Sequence, residues 1–106
     1  MIYAFDFDGT LAVTEYPNIV RAKREVVNWA KWLRNNGHQI ILWTCREGEH
    51  LDIALEWCKE QGLEFDAIND NLEERKAQWE NNCRKIYADY YIDDHNLFVE
   101  EVNCDY

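Results

Sequence analysis

Stretches rich in β-branched and aromatic residues alternate along this chain with stretches whose apolar residues recur every three or four positions. That alternation restricts the fold more than any other feature. "IYAFDF" reads as a strand from Ile2 to Phe7, closed by Gly9. "VTEYPN" reads as a loop. Ile19 to Asn36 has helical spacing at Ile19, Ala22, Val26, Ala30 and Leu33, and Gly37 suits the position just past a helix end. "QIILWT" is a second strand, and its unbroken apolar run fits a strand covered on both faces. A second helix is expected over Glu49–Gln61, a short third strand in "EFDAIND", a weaker helix from Leu72 to about Cys83, and a fourth strand in "KIYADYYIDD". A short helix from Leu97 to Val102 is expected after Asn96. Strands alternating with helices predict an α/β domain with a mainly parallel sheet and helices on both faces. The 106 residues fit a single domain, 1–106.

In such sheets ligands bind beyond the carboxyl ends of the strands. Asp6 and Asp8 end the first strand, Thr44 the second, and Asp93 and Asp94 the fourth. Residues two apart on a strand face the same way, so Asp6 and Asp8 can converge. Four carboxylates gathered together do not all stay ionised without a counter-charge. A hard divalent cation supplies one, and magnesium favours carboxylate oxygens together with a substrate phosphate. The chemistry expected is magnesium-dependent phosphoryl transfer. Asp6 attacks phosphorus, and Asp8 protonates the leaving oxygen and then activates water. Thr10 is placed to hold Asp8, and Gly9 permits a sharp exit past the phosphate. Thr44 offers a hydroxyl, followed by the amides of Cys45 and Arg46 and a helix N-terminus. A lysine is needed for the transferring oxygens; Lys85 is preferred and Lys76 is the alternative.

"DFDGTL" resembles the first signature of the haloacid dehalogenase (HAD) superfamily. "IILWTCR" is similar to the second, and Lys85 with "YYIDD" to the third and fourth. The resemblance spans residues 2 to 94 in the family's order. It implies a Rossmann-like three-layer α/β/α fold and a magnesium-dependent phosphatase. Asp6 would be the nucleophile, Asp8 the acid/base, Thr44 and Lys85 phosphate-binding residues, and Asp93 a metal ligand. The Asp8 carbonyl would be a further ligand, with Asp94 supporting the metal directly or through water. A second acid at Asp8 favours phosphate over halide chemistry. "KIYADYYIDDHN" is similar to the closing segment of the deoxyribonucleotidases, and "TCREG" to the Thr-Gly-Arg turn of polynucleotide phosphatases, where Arg46 would touch substrate or phosphate. The room between signatures leaves none for a cap domain. An open cleft then suits a small phosphorylated metabolite or nucleotide, or is covered by a second copy, as Trp29, Trp32, Trp57 and Trp79 hint.

Charge narrows the partners. Asp and Glu outnumber Lys and Arg by 21 to 11, a net charge of −10, which argues against nucleic acid and anionic membranes. A local basic patch around Arg21, Lys23 and Arg24 is the exception to be checked. The four cysteines form no zinc pattern and predict reduced thiols in a cytoplasmic setting. No apolar run is long enough to span a membrane. His50 and His95 are expected near the cleft as loop residues. A P-loop enzyme is excluded by the absence of GxxxxGK[ST]. A receiver domain is disfavoured because its acidic pair precedes the phosphoacceptor. A HAD-like binding or regulatory module without turnover is the alternative function.

Overall fold

A computed structural model describes residues 1–96. The expected terminal helix, any fifth strand and Cys104 lie outside the described residues. The elements run β1 (Ile2–Phe5), β2 (Ala12–Glu15), β3 (Asn18–Ala22), α1 (Arg24–Asn35), β4 (Gln39–Leu42), α2 (Gly48–Glu60), β5 (Ala67–Ile68), α3 (Glu73–Trp79) and β6 (Tyr90–Ile92). β5, β4, β1 and β6 form one sheet in that order, with every pairing parallel. The mainly parallel α/β architecture expected from the alternation is therefore present.

The topology places the helices. The chain steps from β1 to β4 to β5 in one direction, then returns across the sheet to β6 on the far flank of β1. Right-handed crossovers put α1 and α2 on one face and the returning segment on the other. The core follows. Phe5, Phe7, Ile40 and Leu42 pack with Val27, Ala30 and Leu33 of α1 and with Ala54 and Cys58 of α2. Ile2, Ala4 and Ile41 face the other way, against Leu72, Ile86 and Ala88. α3 itself buries no residue, so this second layer rests on Leu72 at its N-cap and on the irregular segment before β6. Burial pushes the Cys58 thiol up to about 12, as suits a thiol that serves packing.

Several elements differ from the sequence reading; β4 closes at Leu42 rather than Thr44, and α3 ends at Trp79 rather than near Cys83. The stretch read as a loop and a helix start is a β-hairpin, and α1 begins only at Arg24. Ile19 and Ala22 do pack on the core, but from β3; three-residue spacing over so short a stretch also fits a bulged strand, and β2–β3 slips register between Val13 and Thr14. β1 stops at Phe5 because the Phe7 carbonyl curls back to accept the N–H groups of Thr10, Leu11 and Ala12, at 3.2, 3.0 and 3.3 Å. β6 spans three residues, not ten. Asp89 is fixed at the opposite end of the sheet, where its carboxylate accepts the Ile2 N–H at 2.6 Å and its N–H donates to the Ile2 carbonyl at 2.8 Å. Among the described residues no helix is long and apolar enough to cross a membrane.

Candidate active site

The register of the central strands brings the acids together. Phe5 pairs with Leu42 on one side and Ile92 on the other. The next residues out are thus Asp6, Trp43 and Asp93, and the Asp6 N–H donates to the Ile92 carbonyl at 2.9 Å. One carboxylate oxygen from each of Asp6, Asp93 and Asp94 lies within 4.8 Å of the others. The chain leaves β1 toward β4 and later returns to β6 on the other flank of β1, so the cluster sits at the switch in strand order where α/β sheets bind ligands.

Gly9 makes this approach possible. Its φ is +80°, and a Cβ there would overlap the Asp94 carboxylate. The sequence reading assigned this glycine to clearing a phosphate; the structure adds a close neighbour.

The cluster carries unbalanced charge. Burial first, then repulsion from Asp93, Asp94 and Asp8, pushes the Asp6 carboxyl up to about 6, against a hydrogen bond from the Phe7 N–H. The donor set fits a small hard cation. All three groups offer oxygen, the donor that magnesium prefers, and their oxygens lie near enough to one another to share one ion.

Asp8 stands apart from this cluster. Arg46 reaches it with two bonds, Nε to Oδ2 at 2.9 Å and Nη2 to Oδ1 at 2.8 Å, and the Thr14 hydroxyl donates to Oδ1 at 2.8 Å. Burial pushes the Asp8 carboxyl up, but the Arg46 and Thr14 hydrogen bonds and the Arg46 charge outweigh it and hold it below the usual carboxylate value. Two expectations change here. Thr10 does not hold Asp8. The curl onto the Phe7 carbonyl buries it, and its hydroxyl has no partner among the described residues; Thr14 of the hairpin takes the role. Arg46, expected to touch substrate or phosphate, is buried and lines neither the Asp6 cleft nor the Asp8 cleft. It is 1 % exposed, lies between the Phe7 and Tyr16 rings at 4.9 and 5.0 Å, and donates to the carbonyls of His50 at 3.2 Å and Pro17 at 3.1 Å. One side chain thus ties the hairpin turn, the first turn of α2 and Asp8 together.

The loop after β4 is set by Asn69, which the sequence reading missed. At φ +52° its Oδ1 accepts the Thr44 N–H at 2.7 Å. The Thr44 hydroxyl accepts the Arg46 N–H at 3.1 Å, so that amide is already engaged rather than free for phosphate. Thr44 and Cys45 do line a cleft of about 350 Å³ with Asp6, Trp43, Asp93 and His95. A second cleft, of about 440 Å³, is lined by Asp8, Gly9, Val13, Thr14, Lys23, Asp94 and His95. His50 lies elsewhere, in the groove between Pro17 and α2.

The two candidate lysines separate. Lys76 donates to Asp70 at 2.6 Å and to Glu73 at 3.1 Å. Lys85 is exposed, with its ammonium 5.6 Å from the Tyr91 ring centroid. Tyr91 pairs with Ala4, which shares a sheet face with Asp6 two residues on. Lys85 therefore lies on the face that carries Asp6, but it does not line either cleft.

A solved structure of a conserved protein from Bacteroides thetaiotaomicron is 44 % identical to this chain, over 92 % of this chain and 78 % of that one, with a TM-score of 0.81. This chain belongs to that protein's family. No family model and no curated protein matches the chain.

Proposed function

We propose that this chain is a HAD-like, magnesium-dependent phosphatase with a Rossmann-like core and no cap domain, acting on small phosphorylated metabolites or nucleotides in the cytoplasm. The observation that carries the reading is the meeting of Asp6, Asp93 and Asp94 at the switch between β1 and β6. Asp6, Asp93 and Asp94, with the Asp8 carbonyl, would hold the cation. Magnesium there would offset the repulsion between the acids and a bound phosphate and favour the ionised Asp6. The Asp6 carboxylate attacks phosphorus in line, the bond from phosphorus to the leaving oxygen breaks, and an aspartyl-phosphate forms while the departing oxygen takes its proton from solvent. Thr44, in the Asp6 cleft, would hold a phosphoryl oxygen, and Lys85, outside that cleft, would have to swing its side chain from the Tyr91 ring to reach another. Asp8, kept ionised by Arg46, is suited to take a proton from the water that cleaves the acyl-phosphate. Arg46 opposes the other half of the role, protonation of the leaving oxygen, so activated aryl esters are expected to react faster than alkyl esters.

That same clamp favours the second reading, a binding or regulatory module without turnover. One experiment separates them: phosphate release from p-nitrophenyl phosphate with magnesium, by wild type and Asp6→Asn. The phosphatase reading requires wild-type release that the variant lacks. Equal background rates sink it. Light scattering tests whether a second copy covers the open cleft; Trp29, Trp32 and Trp79 are exposed, whereas Trp57 packs on Phe7.

A further inference from the structure

In-line displacement puts the leaving oxygen, and later the attacking water, opposite the nucleophile. The group that takes the proton of that water therefore marks the leaving-group side, and in the proposed mechanism that group is Asp8. Its carboxylate lines the second cleft, with Val13 and Thr14 of the hairpin, Gly9 and Asp94. The leaving group belongs in this space.

An anionic ester entering this acidic chain needs positive charge at the cleft. Arg46 is buried on Asp8, and Lys76 is held by Asp70 and Glu73. Among the described residues, Lys23 is the one lysine or arginine that lines the Asp8 cleft. Its backbone is fixed at the N-cap of α1: its N–H donates to the Leu11 carbonyl at 2.9 Å, and its carbonyl accepts the Val27 N–H at 3.0 Å. Its ammonium donates to the Gly9 carbonyl at 2.7 Å. That bond is exposed and uses one of three ammonium protons, so two remain for an anion.

We propose that Lys23 reads a negative charge on the leaving group, so that the favoured substrates are phosphomonoesters carrying a second anionic group, a carboxylate or a further phosphate. This rests on the phosphatase reading. Val13 supplies apolar wall for the linking carbons, and the charge that the ester retains after losing its phosphoryl group stays on Lys23. The basic residues flagged in the sequence thus contribute at one position and as a small-molecule contact.

The test compares phosphate release from phenyl phosphate and para-carboxyphenyl phosphate, with magnesium, by wild type, Lys23→Gln and Lys23→Arg. Each variant reports the ratio of the two kcat/KM values, which cancels the difference in leaving-group reactivity between the esters. Glutamine keeps a donor for the Gly9 carbonyl and removes the charge; arginine keeps both. Lys23→Gln is expected to lower the carboxyphenyl-to-phenyl ratio about fivefold, the equivalent of an exposed ion pair, and Lys23→Arg to preserve it. Raising the ionic strength is expected to lower the wild-type ratio as well. If Lys23→Gln slows both esters equally, so that the ratio moves less than about twofold, Lys23 only braces the Gly9 loop and the proposal is overturned. If wild type hydrolyses neither ester, the phosphatase reading itself fails and takes the proposal with it. Turnover without charge discrimination overturns the proposal alone.

Discussion

Arg46→Met, measured alone and with Asp8→Asn, tests whether one buried guanidinium organises the loops around the site. Arg46 makes two bonds to Asp8 and one each to the carbonyls of Pro17 and His50. Methionine fills much of the space between Phe7 and Tyr16 but leaves Asp8 with Thr14 as its side-chain partner. Breaking a fully buried pair costs about 3–5 kcal/mol. The Asp8 side chain is 29 % exposed, so water recovers part of that. About 2–3 kcal/mol is expected, or a fall in Tm of roughly 10–20 °C for a domain of this size. Asp8→Asn alone removes the charge and keeps an acceptor, and should cost less. The double variant should be more stable than the sum of the single losses predicts, with a coupling of about 1–2 kcal/mol. Urea unfolding at neutral pH, followed by tryptophan fluorescence, measures all four corners of the cycle. The pH dependence gives an independent check. The Asp8 carboxyl is held below its unfolded value, so its contribution is present above about pH 4 and disappears as pH falls through the lower native value. Arg46→Met should lose less stability than wild type across that acid range, best seen with Asp6→Asn in both proteins. A coupling under about 0.5 kcal/mol, the level at which distant sites add, would refute the clamp.

Asp6→Asn should stabilise the metal-free protein near neutral pH. A carboxyl raised to about 6 is protonated in the native state at pH values where the unfolded chain has released its proton. Native stability is therefore full at low pH and falls as pH rises through the native value. The penalty is at most about 3 kcal/mol, and half-burial reduces it to about 1 kcal/mol. The variant should melt roughly 4–8 °C higher at neutral pH and equal wild type in acid; a lower neutral Tm would contradict the unbalanced cluster. Magnesium should reverse that order. At a hundred times its Kd it adds about 2.7 kcal/mol to wild type, with a smaller shift for Asp6→Asn and loss of the gain on chelation; equal shifts in both proteins would place the ion elsewhere. Gly9→Ala should destabilise by about 1–2 kcal/mol, from the positive φ alone. It should also blunt the magnesium response by displacing Asp94, which titration by thermal shift detects.

The strands that place the acids were legible because their signal is local. "IYAF" and "QIIL" are short apolar runs with polar closings, and each aligns its last residue with a neighbour at the site. The hairpin was not legible, because Ile19 and Ala22 satisfy a helical spacing while sitting on a bulged strand. The partner of Asp8 was missed for a different reason. Thr10 is two residues away in sequence, whereas Thr14 and Arg46 reach Asp8 through a curl and a crossover that no spacing rule encodes. Asn69 left a faint trace, since asparagine tolerates positive φ. Spacing alone places neither Lys76 nor Lys85; the structure holds Lys76 on Asp70 and Glu73, and neither lysine lines the two clefts.

The distribution of cations argues for the site independently of any signature. The chain has 11 lysines and arginines for 21 acids, so even full one-to-one pairing leaves nearly half of the carboxylates to water. Water serves an exposed side chain well and a half-buried one poorly. Half-buried Asp8 has Arg46 against it, and the partly buried Asp66 has Arg34 at 3.5 Å. Asp6 is half-buried too, yet among the described residues neither it nor Asp93 has a lysine or arginine partner, and Asp94 has His95 at 3.7 Å, which pairs only when protonated. A fold that supplies a cation to Asp8 and leaves three converging acids beside it without one keeps a charge imbalance that side-chain packing alone would disfavour. An external divalent ion would remove that imbalance, and the acids whose repulsion weakens the metal-free protein would then be the ligands that stabilise the loaded one.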